Sequence, residues 1–298
     1  MAAVICGSLA FDTIMTFDGR FAEQILPDQL HILNVSFLVP SLRRDFGGCA
    51  GNIAYALKLL GGTPLPMGAV GSDGGDYLQR FDRLGINTDF VLRVDETYTA
   101  QAMIMTDRDN NQITAFHPGA MMQAHRMQVQ ARGDVKIGMI SPDGRDAMLQ
   151  HAEQFKAAGI PFVFDPGQGL PMFDGPELAR FIDQATWVTV NDYEGKMLSE
   201  RTGMSSAEIS RRVQGLVVTL GGDGCEVWVN GEVTLVAPQQ AKAIVDPTGC
   251  GDAWRGALLF GLEQGWSLTR CAELGNKVGA IKIASRGPQN YTLDGLRK

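Results

Sequence analysis

The 298-residue sequence has few of the residues that build metal centres and disulfide frameworks. It contains four histidines and five cysteines, and the cysteines show no CxxC or His-rich spacing. Such a scatter predicts neither a zinc site nor a set of disulfide bonds. We therefore expect reduced thiols and a cytoplasmic protein.

Positive charge is also scarce. Lys and Arg number 26 against 33 Asp and Glu, which gives a formal net charge of −7 at pH 7. Proteins that bind a phosphate backbone need clustered Lys and Arg. Nucleic acid is therefore not an expected partner.

Long hydrophobic runs and two common nucleotide motifs are missing. The beginning, MAAVICGSLAFDTIM, has no basic segment followed by a long apolar run, and no stretch approaches the roughly 18 apolar residues of a membrane span. GxxxxGK[ST] does not occur, and GxGxxG read from Gly249 meets Trp254 at its last glycine. We expect no membrane partner, no Walker-type loop and no dinucleotide fingerprint, which disfavours a dehydrogenase.

Short buried-type strands alternate with helical stretches along the chain. With 45% hydrophobic residues the chain can form a large core. The apolar runs are AVICGSL, VKIGMI, PFVFD, WVTV and GLVVTL, and the helix candidates are residues 50–60, 144–158, 175–184 and 192–201. This pattern predicts one α/β domain over residues 1–298, built on a doubly wound, mostly parallel sheet.

Two segments, at about 11–46 and 90–118, interrupt that alternation. The first contains HILNVSFLV, and the second contains TAQAMIMT and QITAFH around the turn-like Asp109-Asn110-Asn111. Both are typical of strands that leave the main body. We favour a small β-sheet lid that excludes water from a ligand cleft, with a hairpin of no ligand role or a dimer contact as alternatives.

The stretch from Asp246 to Gly256 is the most informative. Gly249 and Gly251 let successive backbone N–H groups turn inward at a helix start, where an anion is stabilised. Asp252 lies in the first turn of that helix, so it is either a helix-terminal carboxylate or a general base for phosphoryl transfer. Asp246 and Thr248 already offer capping oxygens, which favours the general base.

Polar residues near the first strand form a second candidate site. Gly47 and Gly48 precede a helical run that contains Asn52, whose amide both donates and accepts hydrogen bonds. Asp12 follows the first strand, where open α/β sheets hold ligands. We expect contacts with the hydroxyls of a sugar, although a glycine-rich helix start is also common as a plain packing turn.

Two further strand ends offer candidates for the nucleotide side. Asn191 and Glu194 follow WVTV, and Glu194 either acts on a magnesium ion through water or completes a capping box with Asn191. Thr219, Gly222 and Gly224 form a glycine turn after GLVVTL, suited to backbone contact with a nucleotide or simply to a hairpin.

In this order, these motifs resemble the ribokinase-like (PfkB) carbohydrate and nucleoside kinase family, over essentially the full chain. Asp246-x-Thr248-Gly249-x-Gly251-Asp252 is similar to its carboxyl-end signature DTxGAGD, with Pro247 between Asp246 and Thr248 and Cys250 where alanine is usual. The other matching motifs are Gly47-Gly48-x-x-Gly51-Asn52-x-Ala54 and Asn191-x-x-Glu194.

The resemblance implies transfer of the γ-phosphate of Mg·ATP to a primary hydroxyl of a sugar or ribonucleoside. It implies an anion hole made by Gly249, Cys250 and Gly251, with Asp252 as the base. Activation by K⁺ and a homodimer formed through the lid also occur among such proteins. The remaining implied sites are Asp12, Gly47, Gly48 and Asn52 for the acceptor; Asn191, Thr219, Gly222, Gly224 and Asn276 for ATP; and Glu194 for the metal.

The lid segments are apolar and aromatic, which suits a flat purine better than a free sugar. They resemble the bacterial adenosine or broad nucleoside kinases of the family. Phe116 and Met103 are candidate base contacts and Gln101 a polar one, unless these residues only pack the lid. A sugar kinase of ribokinase or fructokinase type, and a catalytically silent nucleoside-binding protein, remain as alternatives.

Overall fold

The computed structural model describes residues 2–25, 32, 34–130 and 132–296. The strands are β1 (Ala2–Cys6), β2 (Ala10–Thr16), β3 (Ser41–Gly47), β4 (Thr63–Gly71), β5 (Val91–Val94), β6 (Ala100–Thr106), β7 (Gln112–His117), β8 (Val135–Ile140), β9 (Phe162–Phe164), β10 (Trp187–Asn191), β11 (Gly215–Thr219), β12 (Cys225–Val229) and β13 (Glu232–Val236). The helices are α1 (Phe21–Gln24), α2 (Cys49–Leu59), α3 (Gly75–Leu84), α4 (Arg145–Ala158), α5 (Gly175–Gln184), α6 (Asp192–Thr202), α7 (Ser206–Arg212), α8 (Cys250–Glu263) and α9 (Leu268–Lys282).

The main sheet, among the described residues, has nine strands in the order β13-β12-β11-β10-β9-β8-β1-β4-β5. Strands β1, β4, β5 and β8 to β11 run parallel, and β12 and β13 continue the sheet antiparallel. The predicted doubly wound, mostly parallel sheet is confirmed.

Two cores lie on opposite faces of this sheet. Side chains of β1 alternate between them: Val4 belongs to the core that contains α4 to α7 residues, and Ile5 to the core that contains α2, α3, α8 and α9 residues. Strands buried on both faces need near-continuous apolar sequence, which explains the runs seen in the chain. None of the helices in the described ranges combines the length and apolar character needed to cross a membrane.

A separate four-stranded sheet has the order β3-β2-β6-β7. Its strands come from the two segments expected to leave the body, and Asn110, at φ 63°, turns the β6–β7 hairpin. The expectation for HILNVSFLV needs correction: residues 34–39 form no strand, and the strands of the segment 11–46 are β2 and β3, on either side of it. Residues 26–31 and 33 of this segment lie outside the described residues.

Candidate active site

The carboxyl ends of the parallel strands meet the amino ends of α2 and α8 at one edge of the main sheet. The small sheet contacts the same edge, because β2 follows β1 after three residues and β3 runs directly into α2. Open α/β sheets bind ligands at this edge. The fold therefore brings the amino-end and carboxyl-end motifs together, although about 200 residues separate them.

The loop before α8 is held by Asp246. Its carboxylate accepts hydrogen bonds from the N–H groups of Thr248 (2.9 Å) and Gly287 (2.9 Å). Burial alone would raise the pKa of Asp246, but these backbone donors hold it below its usual value. Gly249 caps α8 at φ 77°, and a Cβ there would lie 2.6 Å from Pro288 Cβ, so only glycine fits.

Asp252 lies in the first turn of α8, where the helix dipole favours a negative charge. Its Oδ2 accepts a hydrogen bond of 2.8 Å from Asn52 Nδ2 on α2. Burial raises the pKa of Asp252, although Asn52 and Arg255 oppose the shift. A partly desolvated carboxylate of this kind suits proton acceptance from a hydroxyl.

Gln289 fixes the orientation of the Asn52 side-chain amide. Gln289 Nε2 donates to Asn52 Oδ1 (3.0 Å) and lies 3.0 Å from the hydroxyl of Tyr77, which in turn donates to Gly47 O (2.6 Å). Arg80 Nε donates to Gln289 Oε1 (3.1 Å). With its carbonyl oxygen occupied by a donor, the Asn52 amide must present N–H to Asp252.

Arg255, one turn beyond Asp252, is a buried cation. It forms an ion pair with Asp165, which directly follows β9, and its Nη2 lies 3.7 Å from Glu194 Oε2. Burial raises the pKa of Asp165 to about 7 while Arg255 opposes that shift. The guanidinium thus offsets part of the negative charge around Asp252.

Asp12 lies on the small sheet at the same cleft. Its carboxylate approaches Gly47 so closely that a Cβ there would lie 2.3 Å from Asp12 Oδ2. Burial raises the pKa of Asp12 to about 6, and the charges of Asp45, Asp252 and Asp246 add to the shift. Its carboxylate therefore belongs to the same group of interacting charges as Asp246 and Asp252.

Arg43 connects the small sheet to the loop. Its Nε donates to Asp45 Oδ2 (2.9 Å), and its Nη2 lies 3.4 Å from Asp246 Oδ2. Arg43, Asp45 and Asp12 lie on one face of the sheet, because Asp12 pairs with Asp45 and Ile14 with Arg43. That face carries the contact of the small sheet with Asp246 in the loop before α8.

The candidate base contacts divide between the two faces of the small sheet. Asp12 is in register with Ala102, and Ala102 with Phe116, so Phe116 shares the face of Asp12. Gln101 and Met103 lie on the opposite face, where Gln101 Nε2 donates to Thr13 Oγ1 (3.0 Å). As candidate base contacts, Gln101 and Met103 would therefore meet a ligand on the sheet face opposite Asp12.

On the nucleotide side, Asn191 and Thr219 are register partners at the ends of β10 and β11. The capping-box alternative for Glu194 is present: its Oε2 accepts from Asn191 N (2.8 Å), and Asn191 Oδ1 accepts from Glu194 N (2.7 Å). Gly222 is exposed in the turn after Thr219. Glu194 connects this edge of the sheet to α8 through its contact with Arg255.

Gly224 and Asn276 have structural partners. A Cβ on Gly224 would lie 2.2 Å from Val236 O, so this glycine permits close contact between the turn and β13. Asn276 Oδ1 accepts from Trp254 Nε1 (3.0 Å) and its Nδ2 donates to Ala237 O (2.8 Å). The Asn276 side chain thereby joins α8 and α9 to the segment after β13.

The two cations implied by the resemblance fit differently. Across the described ranges no cluster of three or more metal-ligating side chains occurs, which is compatible with a magnesium ion held mainly by phosphates and water with Glu194 nearby. K⁺ would need loop carbonyls, but Asp246 O already accepts a 2.7 Å hydrogen bond from the ammonium of Lys282. A K⁺ ion therefore does not fit at this carbonyl.

Several residues at the site were not anticipated from the sequence. Asp165, Arg255 and Gln289 all contact candidate residues directly or through one neighbour. Two of them could have been found from the sequence. Asp165 ends the strand PFVFD, and Arg255 lies three residues after Asp252, so both adjoin recognised motifs. Gln289 gave no signal of this kind.

Comparison with known proteins gives concordant results. A family model described as "pfkB family carbohydrate kinase" matches residues 13–294. The nucleoside kinase of Methanocaldococcus jannaschii is 30% identical over 259 residues, covering 86% of this chain and 85% of that protein. The nucleoside kinase of Burkholderia thailandensis in complex with inosine is 51% identical with a TM-score of 0.87, covering 97% of this chain and 93% of that one. The structure of the same kinase in complex with ADP-inosine is 52% identical to this chain, with a TM-score of 0.84, and the match covers 98% of this chain and 92% of that one.

Proposed function

The chain belongs to the pfkB family of carbohydrate kinases, and on that premise we propose that it transfers the γ-phosphate of ATP to the 5′-hydroxyl of a ribonucleoside. The observation that supports this most directly is the position of Asp252. Its carboxylate lies in the first turn of α8, directly after Gly249 and Gly251, and Asn52 orients it. Its charge also acts on Asp12 of the small sheet.

In the proposed reaction Asp252 accepts the proton of the 5′-hydroxyl as the oxygen forms a bond to the γ-phosphorus. The bond from that phosphorus to the bridging β–γ oxygen breaks, and ADP leaves with its electron pair. Backbone N–H groups of Gly249, Cys250 and Gly251 stabilise the charge on the transferred group. The proton on Asp252 passes to water after the products leave.

Binding of the acceptor is assigned to the small sheet and to α2. Asp12 accepts hydrogen bonds from the ribose hydroxyls, and Asn52 donates to them. Gly47 and Gly48 let their backbone pack against Asp12 and against residues 8–10, beside the proposed ribose position. Phe116, 53% exposed on the face of Asp12, offers a flat wall for a base. The same face carries Ala102 and Ile104, which we add as candidate base contacts.

A nucleoside is preferred over a free sugar on two grounds. The relatives with substantial identity are nucleoside kinases, and one of them binds inosine. The wall formed by Phe116 and Ile104 would remain uncovered by a sugar without a base. Adenosine, inosine or a broader purine set is therefore the proposed acceptor class.

ATP is assigned to the edge formed by Asn191, Thr219, Gly222 and Gly224. A magnesium ion, when bound, supplies neutralisation of the phosphate charge. Glu194 would hold it through water, because one of its oxygens is engaged by the Asn191 N–H. Asn276 is proposed to hold the wall of the ATP site in place through its hydrogen bonds with Trp254 and Ala237.

The test is ATP consumption with Mg²⁺ against adenosine, inosine, guanosine, cytidine, ribose and fructose. The proposal expects turnover with purine nucleosides and formation of the 5′-monophosphate. Turnover with ribose or fructose alone would favour the sugar-kinase alternative. Tight nucleoside binding with no turnover would favour the silent binding protein.

A homodimer through the small sheet is also proposed. Leu42, Met103 and Ile113 are exposed by 64%, 43% and 41% on its strands, and a second copy would cover such apolar groups. Light scattering measures the mass and so distinguishes a dimer from a monomer. Met103→Ser should weaken the dimer. Met172→Ser is the control, because Met172 is also exposed, by 41%, but lies on the main body.

A further inference from the structure

Lys282 is a fully buried lysine, with 0% of its surface exposed, at the last position of α9. Its ammonium donates to Asp246 O (2.7 Å) and to Ser285 O (3.3 Å). The proposed reaction makes no use of this side chain. Burying an ammonium is costly, so its position needs a physical reason.

No carboxylate lies within 4 Å of this ammonium among the side chains that the structure describes. Backbone carbonyls therefore solvate the charge, helped by the carboxyl end of the helix dipole. Burial lowers the pKa of Lys282, and the charges of Asp246 and Asp252 oppose that change. An ammonium bound by converging carbonyls is the arrangement used for a monovalent cation, not for an ion pair.

The carbonyls belong to two segments that meet behind the anion loop. The N–H groups of Val245 and Asp246 both donate to Ile283 O (2.9 and 3.1 Å), and Gly287 N donates to the Asp246 carboxylate. The ammonium of Lys282 lies between these two segments and donates a hydrogen bond to a carbonyl of each. The ammonium thus fixes the first residue of the loop that ends in Asp252.

We propose that Lys282 is a built-in monovalent cation for the phosphate-binding loop, so that the protein needs no K⁺ or other added monovalent ion for activity. A positive charge tethered to α9 holds Asp246 O and Ser285 O together and keeps the loop N–H groups directed at the phosphate. Lys282 is a positioning residue, because it reaches the reacting atoms only through the loop. The inference rests on the proposed kinase function for its activity measurement alone.

The first measurement compares the wild type in KCl, NaCl and choline chloride at equal ionic strength. The kcat for phosphoryl transfer is expected to differ by less than about twofold among the three salts. Activation by K⁺ of about tenfold or more would overturn the proposal, because an effect of that size is typical when a supporting group of a metal site is lost. This measurement needs no variant, so it stands even if a variant does not fold.

The second measurement uses Lys282→Ser, which removes the ammonium and leaves room for an ion. In choline chloride its kcat is expected to fall by about tenfold or more, and K⁺ or NH₄⁺ is expected to restore most of the loss. Its melting temperature is expected to rise in KCl over choline chloride, with no such rise in the wild type. A folded Lys282→Ser that is fully active in choline, or equally impaired in every salt, would overturn the proposal.

Two controls separate the cation from general effects. Lys282→Met fills the space with an apolar chain and is expected to be slow in every salt, without rescue. Lys58→Ser removes another ammonium that donates to a carbonyl, Gly85 O at 2.7 Å, away from the loop, and is expected to show no ion-specific change. If the wild type turns over no acceptor in any salt, the kinase function fails, while the melting response of Lys282→Ser to K⁺ still tests the cation site.

Discussion

Asn52 and Asp252 are 200 positions apart in the chain, and their side chains are joined by a 2.8 Å hydrogen bond. The bond links α2, which follows the small sheet, to α8, which begins at the phosphate loop. Gln289 determines which end of the Asn52 amide faces Asp252. The proposed acceptor-binding and phosphate-binding parts of the site are therefore joined by the side-chain amide of Asn52.

Replacing Asp252 with asparagine should remove the base while keeping the size of the side chain. We expect kcat to fall by about 10²- to 10⁴-fold, with a smaller change in the KM for the nucleoside, because proton acceptance is lost in the transition state. Steady-state kinetics measure both quantities. Asp192→Asn, an exposed carboxylate in the first turn of α6, is the matched control and should retain wild-type kcat. An active Asp252→Asn enzyme would disprove the assignment.

Gly47→Ala tests the contact between the β3 backbone and Asp12. The new Cβ would lie 2.3 Å from Asp12 Oδ2, so the carboxylate must move. We expect the KM for the nucleoside to rise by about tenfold, in line with the loss of about one good hydrogen bond to a charged group. Gly75→Ala is the control, since a Cβ there meets nothing within 4 Å. Equal KM values for the two variants would argue against a role for Asp12.

Asp12 should also give nucleoside binding a pH dependence. Its pKa of about 6 is raised by burial and by neighbouring carboxylates, so the charged form is lost as the pH falls through 6. We expect the KM for the nucleoside to rise below that pH, approaching about tenfold for each further pH unit if only the charged form binds. In Asp12→Asn the KM should be higher but flat between pH 5 and 7. A flat profile in the wild type would contradict the prediction.

Asp143 should make stability fall as the pH rises. Burial raises its pKa to about 8, although Gly144 N donates to Oδ1 at 2.8 Å. The folded state then binds a proton that the unfolded state releases, so this contribution is present below the unfolded pKa of about 4 and lost through pH 8. Asp143→Asn should therefore melt at a higher temperature than the wild type at pH 8, and the difference should shrink at pH 5. Asp192→Asn should show no such pH trend.

The sequence predicted those elements whose signals are local. Helix α5 was predicted at its observed limits, 175–184, and the structure shows that a capping box of Asp174 and Glu177 defines its start. Strand β4 was not anticipated, since Pro64 and Pro66 argue against a central strand. The structure explains how β4 accommodates these prolines. Strand β5 pairs only with residues 68–71 of β4, so among the described residues the half that contains Pro64 and Pro66 has no neighbouring strand on that side.

The site was predictable where motifs are contiguous and unpredictable where partners are distant. The loop at Gly249–Asp252 and the helix start at Asn52 were found from their glycines. The pairing of Arg255 with Asp165 joins residues 90 positions apart, which one sequence does not reveal. The sequence grouped Gln101, Met103 and Phe116 as base contacts, and only the sheet register shows that Phe116 shares the face of Asp12 while the other two lie on the opposite face.

The face alternation of the β6–β7 hairpin matters for enzyme engineering. Ala102, Ile104 and Phe116, the proposed base contacts, line one face of a hairpin that turns at Asn110. A combinatorial library restricted to these three codons would vary the shape of the base pocket while leaving Asp252 and its supports untouched. New acceptor preferences should thus be selectable without first repairing turnover.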